Sequence, residues 1–198
     1  MKNNNIILAH GLNDEIIKYF LNNFNNKIIT FDDGLASLYK YKKDLKELSK
    51  NNKIIIFVNP FMVYQSEKFS IDIDFIECFK AHEKARKYNF ENFLNQKMIT
   101  DLSNFCEIGL HSWDHFLYFK KRKLRDRIIF YKKDIKNSYN FIKKFIKNRL
   151  SFAWPYNKEI LEYKALQNRF YEKLNIKVEY YGKERLSGWW NYYEKELF

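Results

Sequence analysis

Two acidic residues and two histidines have the types and spacings from which a metal-dependent hydrolase can be built. Asp32 and Asp33 stand side by side in the segment KIITFDDG, directly after apolar and β-branched residues. Adjacent carboxylates repel each other and are costly to bury without a partner. His111 and His115 have the spacing His-x-x-x-His, which lets two imidazoles reach one metal ion from a helical turn or a tight loop. Two imidazoles and one carboxylate would leave room for water on zinc or a similar divalent ion.

Both pairs are expected at the carboxyl ends of strands, where the active sites of α/β folds lie. One aspartate would ligate the ion, and the other would take a proton from the water that the ion activates. The structural alternative is an acidic turn after a strand and an ordinary pair of surface or capping histidines. Each motif alone leaves that alternative open, and their combination favours the catalytic interpretation.

The elements that would hold these residues alternate between strands and helices. Strands are predicted over 5–10, 27–31, 53–60, 106–110, 150–154 and 176–181. Helices are predicted over 13–24, with Asn13 as the N-cap, and over 36–50, 89–104, 118–149 and about 158–174. Residues 61–88 show no clear pattern, which indicates an irregular insertion over one end of the fold. The alternation predicts an α/β fold with mostly parallel strands, in one domain spanning residues 1–198.

The strong positive charge of the chain has two interpretations. The formal net charge is +12. An AT-rich coding sequence would enrich Lys, Asn, Ile and Phe together, whereas a functional cause would be a negatively charged partner or membrane surface. The basic residues are spread along the whole chain, which favours the first explanation. A basic face on the helix predicted over 118–149 is typical of a solvated surface, and no motif supports nucleic-acid binding.

The sequence shows no recognisable targeting signal and no cysteine motif. The N-terminal apolar stretch is too short for a signal peptide, and no segment is apolar enough to span a bilayer. We therefore expect a cytoplasmic protein in which Cys78 and Cys106 are reduced. Their spacing gives no metal or redox motif. Peripheral contact with a membrane stays open, and the sequence predicts no oligomeric state.

Three motifs resemble those of a known family. The segments TFDDG (residues 30–34), HSWDH (111–115) and FAWPYN (152–157) follow the order of the first three motifs of the polysaccharide deacetylase family, the NodB-homology enzymes of carbohydrate esterase family 4. The resemblance runs from about residue 27 to residue 185. It implies a distorted, incomplete (β/α) barrel that hydrolyses the N-acetyl group of a sugar with the help of a metal ion.

The resemblance also implies a role for individual residues. Asp32 resembles the general base, and Asp33, His111 and His115 resemble the ligands of one divalent ion, with zinc expected. Ser112 matches a small hydroxyl residue that orients the histidine loop, the segment 111–115 that carries both histidines. The backbone N–H of Tyr156 matches the donor to the oxyanion.

Two family residues have no counterpart at the matching positions. Ala153 stands where an arginine normally steadies the base, and no histidine follows His115 to protonate the leaving amine. Either other residues substitute, or the substrate needs less acid help, or the protein is not an efficient deacetylase. His10, at the end of the first strand, is the best candidate for the acid, and a structural histidine is the alternative.

Two further residues are candidates for contact with substrate at the rim of the site. Arg185 could also stand in for the missing arginine, unless it is simply solvated. Trp154 could stack on a sugar ring, unless it lies in the core. Trp189 and Trp190 are expected in the core or at an interface.

The sequence therefore supports two classes of function. The first is a metal-dependent hydrolase that removes an N-acetyl or related N-acyl group from a carbohydrate in cell-envelope glycan biosynthesis, with an amidase acting on a non-sugar amide as a variant. The second is a catalytically weak relative that binds glycan or supports an assembly. The complete set of metal ligands beside a base favours the enzyme.

Overall fold

Seven parallel strands form one curled sheet that closes only part of a barrel. The computed structural model describes residues 3–115 and 124–191. The strands are Asn3–Ala9 (β1), Ile28–Phe31 (β2), Lys53–Val58 (β3), Glu107–Leu110 (β4), Arg149–Ala153 (β5), Lys177–Tyr181 (β6) and Arg185–Leu186 (β7). Their spatial order is β6-β5-β4-β3-β2-β1-β7, so β1 to β6 follow one another across the sheet. The α/β class with parallel strands is confirmed.

Helices connect the strands. They are Asp14–Asn23 (α1), Ser37–Lys40 (α2), Lys42–Leu48 (α3), Pro60–Ser66 (α4), Cys78–Arg86 (α5), Gln96–Leu102 (α6), Leu124–Ile142 (α7) and Leu161–Glu172 (α8), and a 3-10 turn covers Pro155–Asn157. Asn13 caps α1 as predicted, because its side chain accepts a hydrogen bond of 2.8 Å from the backbone N–H of Ile16. Within the described ranges, no helix has the length and apolar character that a bilayer span requires.

The central strand β3 is buried on both faces, which explains its nearly continuous apolar sequence. Ile54, Ile56 and Val58 belong to the large core under the helices. Ile55 and Phe57 point the other way, into a smaller core inside the barrel. Full burial of such a side chain stabilises the fold by about 1.5–3 kcal/mol. This rigid strand supports the loops that leave the sheet on either side of it.

The segment predicted as an irregular insertion is instead partly helical. Residues 61–88 contain most of α4 and all of α5, so that prediction was wrong. The sequence did not predict α5 because the buried face of this helix has no strong apolar stripe. Its buried positions are the small or polar residues Cys78, Ala81, His82 and Ala85.

Other element boundaries also differ from the prediction. The helix predicted over 36–50 is divided at Tyr41, and the one predicted over 89–104 begins only after the cap residue Asn95. The helix predicted over 118–149 ends at Ile142 before β5, and its residues 118–123 lie outside the described part of the chain. The two-residue strand β7 was missed because it is too short to have a recognisable pattern.

Candidate active site

The residues singled out for chemistry come together at the carboxyl ends of the strands. His10 follows β1, Asp32 and Asp33 follow β2, and His111 follows β4. Together with Tyr156, which comes after β5, they line one cavity of about 370 Å³. The parallel topology explains this convergence, because equivalent ends of parallel strands share one edge of the sheet.

The backbone at this edge is held in conformations that few residues adopt. Asp33, His115 and Tyr156 have positive φ angles of 68°, 57° and 57°. Such angles are uncommon outside glycine, and they cluster where a surrounding structure fixes them for function. Gly34 has a φ of +64°, and a Cβ atom there would approach Val58 Cγ1 to 2.9 Å. The turn after β2 therefore requires glycine at this position.

One oxygen of the Asp33 carboxylate faces three imidazoles. The Nε2 atoms of His82, His115 and His111 lie 3.2, 3.3 and 3.5 Å from Asp33 Oδ1. The ligand atoms of Asp33, His82 and His115 all lie within 4.8 Å of one another. His111 is outside that group of three, although it faces the same oxygen. The structure thus brings the predicted ligands to one point and adds His82 to them.

The hydrogen bonding around these imidazoles fits a cation. His111 Nδ1 lies 2.9 Å from the carbonyl oxygen of Ala153, so this nitrogen donates and Nε2 keeps its lone pair toward Asp33. Among the described residues, neither ring nitrogen of His82 has a hydrogen-bond partner, and neither has the buried Asp33 Oδ1. Buried polar atoms without partners are rare, and a divalent ion between Asp33 Oδ1 and His82 Nε2 would give each of these two atoms a partner.

The ionisation states fit the same interpretation. Burial alone would raise the pKa of the Asp33 carboxyl, but His82, His115 and His111 together hold that pKa well below its usual value. Burial also lowers the pKa of His111 and lowers that of His115 well below its usual range. A charged carboxylate and neutral imidazoles are the forms that bind metal ions.

The other oxygen of Asp33 faces a different set of groups. Cys78 Sγ lies 2.8 Å from Asp33 Oδ2, and His10 Nε2 lies 3.8 Å from it. His10 Nδ1 lies 3.0 Å from Asn191 Oδ1, which can only accept, so Nδ1 carries the proton in this pair. No sequence motif placed Cys78 or His82 at this site. Their spacing of four residues on α5 puts both on one helix face, and this was the signal that could have identified them.

Asp32 is held by a buried arginine. Arg185 donates from both terminal nitrogens to the two carboxylate oxygens, at 2.6 and 2.8 Å. Its guanidinium also donates to Thr30 Oγ1, Asn157 Oδ1 and the carbonyl oxygen of Gly182. Such a two-pronged pair fixes the carboxylate in orientation as well as in charge.

This pairing provides an arginine beside Asp32 although Ala153 occupies the position matched by sequence. Arg185 comes from β7 at the other side of the site. Its side chain is fully buried and is engaged by protein groups, so a direct contact with substrate is not available to it. Two sequence-based interpretations then remain, a solvated Arg185 and an Arg185 that replaces the missing arginine. The burial of its side chain and its pair with Asp32 favour the second.

Trp154 is not placed to stack on a sugar. It is 2% exposed, and its ring stacks on Tyr180 with a centroid distance of 5.3 Å and an interplanar angle of 11°. The sequence-based assignment of Trp154 to substrate binding is therefore wrong, because its neighbours in the core already cover the ring. Trp190 is also buried, as expected, and its Nε1 donates to the carbonyl oxygen of Leu8.

The histidine loop is held by groups other than the predicted one. Ser112 is fully buried, but its hydroxyl has no hydrogen-bond partner among the described residues. The side chain of Asn59 instead donates to the carbonyl oxygen of His111. The backbone N–H of Trp113 donates to Asp134 on α7 at 3.0 Å. These two contacts connect the loop to the sheet edge and to α7.

Two solved structures are similar to this chain in fold. The chain is similar to the BpsB deacetylase domain from Bordetella bronchiseptica, with a TM-score of 0.53 and 15% identity over 81% of this chain and 74% of that one. It is also similar to IcaB from Ammonifex degensii, with a TM-score of 0.52 and 16% identity over 86% of this chain and 82% of that one. No protein-family model matches the chain, and no curated protein matches it in sequence. The predicted incomplete (β/α) barrel is confirmed, and the resemblance to polysaccharide deacetylases is supported at the level of the fold.

Proposed function

We propose that this protein is a metal-dependent hydrolase that removes an N-acetyl or related N-acyl group from a carbohydrate. The observation that carries the proposal is the pair of adjacent carboxylates with separate surroundings. Asp33 faces three imidazoles, whereas Asp32 is clamped by Arg185. One carboxylate is thus suited to ligating a cation and the other to accepting a proton. The similarity to deacetylase structures supports the same class of reaction.

The ion would be held by Asp33, His111 and His115, and we add His82 to the set. Nitrogen and oxygen donors of this kind suit zinc, which can expand beyond four ligands during a reaction. A divalent ion bound there would supply Lewis-acid chemistry, polarising the acyl carbonyl and lowering the pKa of water.

The remaining steps belong to the side chains and backbone of the chain. Asp32 would accept the proton of the attacking water, and Arg185 would keep its carboxylate directed at that water. The backbone N–H of Tyr156 would donate to the oxyanion that develops on the acyl carbonyl. This donor role stays a prediction from the resemblance.

The carbohydrate part of the proposal is supported by aromatic rings at the mouth of the cavity. Tyr156 and Phe79 both line it, and they are 63% and 45% exposed. Exposed rings beside a polar centre can stack on the apolar face of a sugar. We propose that these two rings take the role that Trp154 cannot have. A cytoplasmic substrate among intermediates of envelope glycans is part of the same proposal.

His10 is the proposed proton donor to the leaving amine. It lines the cavity beside Asp33, and its side chain is 22% exposed, so it can exchange protons with solvent. Positioned general acid catalysis contributes about 10²–10⁴-fold. We expect His10→Gln to retain the fold but to lower kcat by about 100-fold or more. The alkaline limb of the pH–rate profile should also disappear, because the protonated imidazole is no longer the acid. Wild-type turnover with an unchanged profile would make His10 structural and leave Asp32 to return the proton.

The second candidate is a protein that binds a glycan without efficient hydrolysis. The absence of a histidine after His115 in the sequence favours it. Release of acetate and a free amine from N-acetylated amino-sugar oligomers and nucleotide-linked amino sugars tests the two candidates. Hydrolysis supports the enzyme, whereas saturable binding without acetate release supports the binding protein. Acetate release only from simple non-sugar amides would point to the amidase variant.

A further inference from the structure

We propose that the Asp33 carboxylate bridges two divalent metal ions, with a second site formed by Asp33 Oδ2, His10 and Cys78. The inference rests on the proposed metal centre for its first ion, at Oδ1. The ligand atoms of the second group all lie within 4.8 Å of one another. The two groups share only Asp33, and each uses a different oxygen of its carboxylate.

The helix α5 supplies one ligand to each site. His82 Nε2 lies 3.2 Å from Oδ1, and Cys78 Sγ lies 2.8 Å from Oδ2. Residues four apart on a helix lie on the same face. One face of α5 therefore presents His82 to one oxygen of Asp33 and Cys78 to the other. The carboxylate therefore lies between two sets of donors rather than at the edge of one.

The second group has the chemistry and the support of a zinc site. Thiolate and imidazole are both zinc ligands. Asn191 Oδ1 accepts from His10 Nδ1, which directs the lone pair of Nε2 toward Asp33. Cys78 is 8% exposed and lies in the wall of the cavity, so an ion could reach it from solvent. On binding, the Cys78 S–H bond breaks, its proton goes to solvent, and the sulfur electron pair forms the bond to the ion.

A second ion has a consequence for the proposed reaction. Ions in two-metal sites lie about 3.5–4 Å apart, a separation that a bridging carboxylate allows. The second ion would occupy His10 Nε2, so His10 could not donate a proton while the ion is bound. The second site would therefore lower the turnover of the proposed enzyme when it fills.

The stoichiometry of zinc tests this inference. Metal-free protein without an affinity tag is titrated with Zn²⁺, and bound zinc is measured by calorimetry and elemental analysis. We expect two ions per chain for the wild type and one for Cys78→Ala. The matched control is Cys106→Ala, which removes the other cysteine, buried in the core away from the site, and should still bind two. His10→Gln should also bind one ion. Because this variant keeps the thiol, its loss of the second ion would show that the imidazole is a ligand too.

Cobalt gives an independent measure of the thiolate ligand. Co²⁺-loaded wild type and Cys106→Ala should show thiolate-to-cobalt charge-transfer absorption, and Cys78→Ala should lack it. Two ions with this absorption support the inference. One ion per wild-type chain overturns it. Without the absorption, that result leaves the proposed metal centre intact; with the absorption, the single ion is bound by Cys78, and the proposed ligand set of the first centre is wrong as well. No bound ion overturns both. Circular dichroism of each variant identifies any that fails to fold, and Cys78→Ser then replaces Cys78→Ala.

Discussion

Asp32→Asn should abolish nearly all hydrolysis while the protein keeps its metal. The substitution removes the proposed base, but it leaves Asp33 and the three histidines that face its Oδ1 in place to bind the ion. Removal of a positioned base lowers kcat by about 10²–10⁴-fold. We expect the upper part of that range because, among the described residues that line the cavity, the only other carboxylate is that of Asp33, which would be occupied as a ligand of the ion. The measurement is kcat for acetate release together with zinc content per chain.

The neighbouring substitution is the matched control. Asp33→Asn changes the adjacent carboxylate in the same way, but it removes the group that faces the imidazoles, so zinc content should fall along with activity. Because Asp32→Asn also weakens the pair with Arg185, the unfolding free energy of both variants must be measured. Equal loss of metal in the two variants would contradict the division of roles between the two aspartates.

Arg185→Met should lower both stability and turnover. Breaking a buried ion pair from one side typically costs about 3–5 kcal/mol, because the remaining charge stays buried without compensation. Asp32 would lose both of its guanidinium hydrogen bonds and with them its fixed orientation. The measurements are the free energy of unfolding in denaturant and kcat at equal zinc content. Arg185→Lys should restore little of either, since an ammonium cannot make the two-pronged contact.

Arg149→Met provides the comparison at an exposed arginine. Arg149 also pairs with carboxylates, those of Glu107 and Glu179, but its side chain is 49% exposed. Exposed ion pairs contribute about 0–1 kcal/mol, so this variant should be close to the wild type in stability and turnover. Equal effects at the two positions would show that Arg185 has no special role beside Asp32.

The part of the site that the sequence predicts is the part encoded in short motifs. Asp32, Asp33, His111 and His115 could be identified because each pair is local and each follows an apolar run that predicts a strand. Parallel strands then bring the pairs to one edge of the sheet. The cap at Asn13 could be identified for a similar reason, since the acceptor and its N–H are three residues apart.

The rest depends on contacts that spacing does not encode. Arg185 and Asp32 are 153 residues apart and meet only because β7 pairs with β1. The roles of His82 and Cys78 depend on where α5 packs over the barrel, which the sequence of that helix does not specify. Trp154 is the opposite case, a residue that was assigned to the site but does not belong to it. Its motif lies next to the site and suggested an exposed ring, but packing against Tyr180 buries that ring.

Metal dependence of acetate release is the most direct test of the central claim. The protein is stripped with a chelator, dialysed, assayed on an N-acetylated amino-sugar oligomer, and assayed again after zinc is added in stoichiometric amounts. Our account predicts that the stripped protein releases no acetate and that the first equivalent of zinc restores turnover in the wild type but not in Asp32→Asn. Full turnover by the stripped wild type, or no turnover at any zinc loading, would contradict it.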